Sequence, residues 1–192
     1  MALAFSKADA NDAEALAELI NSAYRGETSR LGWTTEADLL EGRRIDAAGI
    51  VKLLAGADSL ILVCRQHGQL LGSVHLQYGA GQVQIGMLAV SPRLQGQGIG
   101  KQLLRQAEQW AERVWPVQRF SMAVIPLRQE LIEFYQRRGY RRTGQIQPFP
   151  LNPALWTPKV GDLCLERLEK PARFSTELPP PSRVADTDAA DG

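Results

Sequence analysis

Gly96, Gly98 and Gly100 stand at alternate positions between a run that reads as a strand and a run that reads as an amphipathic helix. The strand is Val83 to Val90, with Pro92 to stop it. The helix runs from about Gly98 to Arg113, its apolar residues Ile99, Leu103, Ala107, Ala111 and Val114 falling near four-residue spacing. Glycine lets backbone turn sharply and approach a ligand closely. The first free N–H groups of the helix, with its dipole, then point at whatever occupies the loop, a geometry suited to a phosphate or pyrophosphate. A plain flexible turn before a helix fits the same glycines. Two familiar phosphate loops do not. A dinucleotide fingerprint counted from Gly96 needs glycine where Lys101 stands, and a P-loop needs Ser or Thr after Gly100-Lys101 where Gln102 stands.

The strand feeding the loop changes phase. Val83, Ile85 and Met87 alternate onto one face, after which Leu88 and Val90 take the opposite phase. A one-residue slip in a period-two pattern is what a β-bulge produces, and a bulge leaves backbone groups that a ligand can use. A strand buried on both faces, with no phase to keep, gives the same pattern.

The rest of the chain alternates strands and helices. Leu3 to Ala8 predicts a first strand, and Asn11 to Glu14 reads as a capping box for a helix with Leu16, Leu19, Ile20 and Ala23 on one face. A second helical region is expected over Thr35 to Ala55, broken near Gly42 to Asp46, with Asp46 capping its second half. Ser59 to Arg65 and Gln69 to Tyr78 predict a hairpin turning at His67-Gly68. Arg119 to Ile125, Tyr140 to Gln147 and Gly161 to Leu168 read as strands, Leu127 to Arg138 as a helix, and Pro148 to Pro158 as a Pro-rich loop carrying Trp156. This order predicts one mixed α/β domain over residues 1–170, a sheet with helices on both faces. Residues 171–192, rich in Pro and Asp, read as a disordered tail.

A formal charge of +1 argues against a nucleic-acid binder that relies on a strong overall positive field. Cys64 and Cys164 match no metal-ligand spacing and read as reduced thiols. No apolar run approaches the roughly 20 residues needed to span a bilayer, and Met1 to Phe5 lacks the make-up of a signal peptide. The expectation is a cytoplasmic protein with no membrane partner and no metal.

Gln95-Gly96-Gln97-Gly98-Ile99-Gly100, preceded by Leu88-Ala89-Val90-Ser91-Pro92, resembles the Gln/Arg-x-x-Gly-x-Gly/Ala signature of the GNAT superfamily of N-acetyltransferases. Downstream, Phe134-Tyr135-Gln136-Arg137-Arg138-Gly139-Tyr140 looks like that family's Phe-Tyr-x-x-x-Gly-Phe helix end. The order of elements agrees from about residue 3 to 168. The resemblance implies a mixed, mostly antiparallel sheet of six to seven strands. It implies acetyl-CoA as donor, its pyrophosphate on the backbone of Gln95, Gly96, Gln97, Gly98, Ile99, Gly100 and Lys101. Its pantetheine arm would pair like a strand with Leu88, Ala89 and Val90. The acetyl group would pass directly to a neutral amine, although a lysine-like ammonium has a pKa of about 10.4. Tyr135 matches the family tyrosine that protonates the departing thiolate, and a phenol of pKa about 10 stays protonated at neutral pH. Packing beside Phe134 is its plain structural alternative.

Two departures stand out. Arg128 occupies the position of a frequent cofactor-binding Asn, where it could meet a cofactor phosphate instead. The strand Val83 to Met87 lacks the carboxylate that many members use as general base. Glu27, Glu36, Asp38 and His75 are the candidates to replace it, each of them equally readable as solvated or structural. The polar and aromatic stretch containing Tyr24, Arg25, Glu27, Arg30, Trp33 and Glu36 is the expected acceptor-binding region. The leading reading is an N-acetyltransferase acting on a primary amine of a small molecule, as a monomer or homodimer. A protein N-terminus or lysine remains an alternative acceptor, a non-catalytic acyl-CoA-binding domain an alternative function, and a dinucleotide oxidoreductase fits the glycine spacing poorly.

Overall fold

A computed structural model describes residues 3–173, so most of the expected tail lies outside the described residues. The elements in chain order are β1 (Ala4–Lys7), α1 (Ala13–Tyr24), α2 (Gly26–Ser29), β2 (Leu40–Gly42), α3 (Ala47–Leu54), β3 (Ser59–Gln66), β4 (Gln69–Gly79) and β5 (Gln82–Val90). They continue with α4 (Ile99–Val114), β6 (Arg119–Val124), α5 (Gln129–Gln136), β7 (Arg141–Pro148), β8 (Trp156–Pro158) and β9 (Cys164–Pro171). Seven strands form one sheet in the order β1-β3-β4-β5-β6-β9-β7, in which only the β5–β6 pair is parallel. The predicted mixed, mostly antiparallel sheet is therefore present.

Alternation along the strands divides the core between the two faces. Leu60, Leu62, Val74, Leu76, Val83 and Ile85 pack against Leu103, Leu104 and Ala107 of α4 and Ile132 of α5. Ile61, Val63 and Ala89 pack on the other face against Leu16, Ile20 and Ala23 of α1 and Ile50 of α3. The helices thus cover both faces, and α4 meets the sheet with Ile99, Leu103, Ala107 and Ala111 of the stripe read from its sequence, while Val114, expected with them, is exposed. Among the described residues no helix is long and apolar enough to cross a membrane.

Three local expectations differ from the structure. The N-terminal cap is Asp9, not Asn11: Asp9 accepts from the Asn11 N–H at 2.8 Å, and the Asp9 N–H donates to Asp12 at 3.1 Å, across a 3-10 turn that leads into α1. The helix expected over Thr35 to Ala55 survives only as α3, where Asp46 does accept from the Gly49 N–H at 2.7 Å. Its first half turns instead into β2, which pairs with β8 inside the supposed Pro-rich loop. Gly42 makes that pairing possible, with φ of +97° and a position where a Cβ would lie 2.2 Å from the Leu155 carbonyl oxygen. This two-stranded sheet is held by a third apolar cluster around Leu40, Ile125 and Trp156. At the far end β9 reaches Pro171, and Ala172 is buried, just past the predicted boundary at residue 170.

Candidate active site

β5 and β6 pair only from Gln82↔Arg119 to Gln84↔Ser121, and beyond that they splay. β6 goes on to Val124 with β9 on its other side, while β5 stays paired with β4 as far as Val90. Successive β4–β5 pairs are Ser73↔Ala89 and His75↔Gly86, so Met87 and Leu88 together face Val74 alone. That is a β-bulge. Met87 takes a φ of 46° and joins the α1 side of the sheet, away from Val83 and Ile85, while Leu88 and Val90 lie on the α4 side. The phase slip predicted from sequence is therefore real, but Met87, expected to share a face with Val83 and Ile85, lies on the opposite one because the bulge begins at it.

The bulge sets which backbone groups are free. Ser91 N–H donates to the Leu71 carbonyl at 2.9 Å, and alternation along an antiparallel ladder then turns Ala89 toward β4. Leu88 and Val90 are left facing the splay. Their carbonyls accept from Tyr24 Oη at 3.2 Å and from Gln95 Nε2 at 3.1 Å, respectively. Of the three residues expected to pair with a strand-like ligand, Ala89 is turned away.

A groove of about 300 Å³ opens along this free edge, lined by Leu88, Val90, the glycine loop, Lys101, Phe134 and Arg138, among others. Gly96 and Gly98 line it with φ of +79° and +83°, and a Cβ on either would project into open space. Gly98 is also the N-cap of α4, so the unpaired N–H groups of that helix begin at the groove. Lys101, Arg137 and Arg138 add positive charge. Arg138 lies 3.5 Å above the Phe134 ring, and its buried Nε has no partner. Burial, reinforced by Arg137, pulls its guanidinium pKa down, which makes an anion in the groove a favourable neighbour. Gln95 ties the walls together: its Oε1 accepts from the Trp33 N–H at 2.7 Å while Nε2 holds Val90. Gln97 and Ile99 do not line the groove, and Ile99 is buried in the core. These features fit the phosphate-bearing, extended donor that the sequence suggests.

A second cavity, of about 250 Å³, lies across the splay between β5, β6 and the loop after β7. Leu88 and Leu131 wall both cavities. Tyr135, on α5, faces the second one, its ring packed edge-on against Phe134 at 5.2 Å and against Tyr140 at 5.9 Å. Its hydroxyl has no hydrogen-bond partner among the described residues. Burial raises the pKa of this phenol well above 10, so it stays protonated. Tyr24, whose pKa burial also raises, sits nearby with the guanidinium carbons of Arg44 and Arg128 at 5.8 and 5.7 Å from its ring centre.

Among the described residues Glu36 is the one carboxylate that lines this cavity. Arg128 Nη1 donates to Glu36 Oε1 at 2.7 Å, Arg25 Nη1 donates to Oε2, and all three residues are buried. With both oxygens already held, Glu36 acts on the guanidinium groups beside it. Arg128 faces the second cavity, committed to Glu36 and to Thr34 at 2.8 Å, and is not placed on the glycine-loop groove where the sequence suggested a phosphate contact.

The other expected site residues scatter. Glu27 is exposed and paired with Arg30 at 3.1 Å, and Asp38 is bound by the same arginine at 2.7 Å; neither lines a cavity. His75 bonds Ser59 Oγ at 2.9 Å, is held down to about pKa 4 by burial, and lines neither cavity. Trp33 lines the first cavity, not the second, tilted against Phe134 at 5.8 Å. Arg25 is buried behind Glu36 and reaches neither. Sequence reasoning missed Arg44, Arg137, Arg138 and the wall formed by Phe149 and Pro150. Arg137 and Arg138 stood beside Tyr135 in a recognisable motif; Arg44 had no local signal, because β2 and β8 place it.

The sequence profile of the Acetyltransferase (GNAT) family matches residues 14–140. No curated protein matches the chain. Among solved structures, the ribosomal-protein-S18-alanine N-acetyltransferase from Escherichia coli superposes with a TM-score of 0.68 at 15% identity, covering 93% of this chain and 99% of its own. YncA from Salmonella typhimurium, solved with its cofactor acetyl-CoA, gives 0.66 at 19% identity over 94% and 99%. The PaiA N-acetyltransferase from Thermoplasma acidophilum, solved with coenzyme A, gives 0.61 at 17% over 89% and 99%.

Proposed function

The chain belongs to the GNAT acetyltransferase family, and from that premise we propose that it moves the acetyl group of acetyl-CoA directly to a primary amine of a small molecule. One observation carries this reading: the groove suited to the donor and the cavity holding Tyr135 share Leu88 and Leu131 as walls, so two ligands would meet there. The glycine loop, Lys101 and Arg138 would hold the donor's phosphates. The N–H groups of Leu88 and Val90, whose carbonyls already accept from Tyr24 and Gln95, would pair with its extended arm.

The second cavity would present the neutral amine to the thioester carbon. As the new C–N bond forms, the C–S bond breaks, and Tyr135 gives its proton to the departing sulfur. The amine's own proton leaves to water, and solvent restores Tyr135. Water takes the base role because Glu36, among the described residues the only carboxylate lining the cavity, is bound by two arginines. Phe149 and Pro150, in the loop after β7, wall the cavity opposite β5 and β6, and its volume of about 250 Å³ suits a small acceptor better than a polypeptide.

The engaged state of Glu36 favours one second reading, a domain that binds acyl-CoA without turning it over. Free-thiol release from acetyl-CoA in the presence of amines separates the two. An enzyme releases thiol in step with amine and loses that rate in Tyr135→Phe. A binding domain holds the donor and releases none.

A further inference from the structure

We propose that the acceptor carries a carboxylate beside its amine, making it a molecule of amino-acid type, and that Arg44 and Arg128 bind that carboxylate. The proposal rests on the acetyl-transfer reading above and names the class of acceptor.

The second cavity is cationic although it must receive an amine. Its charged lining residues are Arg44, Arg128 and Glu36, with Arg25 directly behind Glu36. One carboxylate therefore faces three guanidinium groups. Glu36 balances Arg25 and Arg128 in part; nothing balances Arg44. Its side chain makes no ion pair or hydrogen bond among the described residues, and its guanidinium lies 5.8 Å from the Tyr24 ring centre and 6.0 Å from that of Trp156. The remaining polar groups facing the cavity, Gln84, Gln147, Tyr24 and Tyr135, carry no negative charge.

Arg44 is also held in place. Asn21 Oδ1 of α1 accepts from the Arg44 N–H at 2.6 Å, and the neighbouring Arg43 N–H donates to the Leu155 carbonyl at 2.7 Å. A half-buried guanidinium fixed at its backbone and flanked by two rings, with its fork unused, is arranged for a planar bidentate anion. Arg128, which lines the same cavity, adds a second positive charge there while its Nη1 and Nη2 hold Glu36 and Thr34. A cationic amine alone, such as a polyamine, would be repelled here. An amine bearing a carboxylate would place its negative end between Arg44 and Arg128 and its amine toward Tyr135 and the shared wall at Leu88.

Thiol release from acetyl-CoA is measured with the free L-α-amino acids, with the corresponding amino-acid amides, and with spermidine. The expected result is turnover of one or more free amino acids with kcat/KM above that of the matching amide by about tenfold or more. In Arg44→Met that ratio should fall toward one, the loss appearing mainly in KM for the acid. Equal or faster turnover of the amides or of spermidine overturns the proposal, as does an unchanged ratio in Arg44→Met. No turnover of any carboxylate-bearing amine by protein that binds acetyl-CoA also overturns it, while the donor-site reading stands. Failure to bind acetyl-CoA at all removes that underlying reading instead.

Discussion

Arg128 Nη1 and Glu36 Oε1 are joined at 2.7 Å between two buried side chains that lie 92 residues apart in the chain. The bond links the segment after α2 to the start of α5, and so fixes one wall of the second cavity to the helix that carries Tyr135. Glu36 meets Arg25 on its other side. Burial lowers the Arg25 pKa and Glu36 opposes that shift, so the carboxylate keeps two buried cations in place.

Glu36→Gln should therefore destabilise the fold by about 3 kcal/mol or more, because it leaves buried guanidinium groups without a counter-charge. Urea unfolding monitored through the tryptophans measures it. A change below 1 kcal/mol would show that the pair behaves like a surface ion pair.

Tyr135→Phe removes the hydroxyl and keeps the ring that packs on Phe134 and Tyr140. The maximal rate should fall by about a hundred- to ten-thousandfold, with acetyl-CoA affinity nearly unchanged. Loss of affinity in parallel with rate would mean that the ring's packing, and not its proton, was disturbed.

Tyr135 also shapes the pH profile. Its pKa is raised by burial, so it remains the protonated donor throughout the neutral and mildly alkaline range. Activity should rise with pH as the acceptor amine loses its proton and should show no falling limb below about pH 10. A descending limb near pH 8 would assign the acid role to another group.

Much of this site could be read from residues close in sequence. The glycine loop, its strand and α4 lie within about thirty residues, and their signals are local: period two, a phase slip, then period 3.6. The hairpin at His67-Gly68 and the apolar faces of α1 and α4 were legible for the same reason. What sequence could not show came from distant pairing. β2 reads as part of a helix because Leu39, Leu40 and their neighbours suit either state, and only Trp156–Pro158, more than a hundred residues on, draws it into a strand. Arg44 inherits its place from that pairing. Glu27 and Glu36 looked equivalent in sequence, yet one is exposed beside Arg30 and the other buried between two arginines.

His75 gives a prediction about stability. Burial holds its pKa near 4 in the folded protein, against about 6.5 when unfolded. Between those values the unfolded chain binds the extra proton, so this contribution is complete above about pH 6.5 and is lost as pH falls toward 4. The loss is at most about 3 kcal/mol. His75→Gln should flatten the dependence of unfolding free energy on pH in that window; an unaltered slope would contradict the assignment.

Gly98→Ala tests the loop. At a φ of +83° an alanine costs about 1 kcal/mol or more in backbone strain, and its Cβ would enter the donor groove. Both thermal stability and acetyl-CoA affinity should drop, the affinity by the larger factor.

The most direct measurement is a calorimetric titration of acetyl-CoA into the purified protein, with NADH as control. The account predicts a single site of micromolar order, worth about 8 kcal/mol, for acetyl-CoA alone. Protein that is folded yet takes up no acetyl-CoA, or that binds NADH equally well, would contradict it.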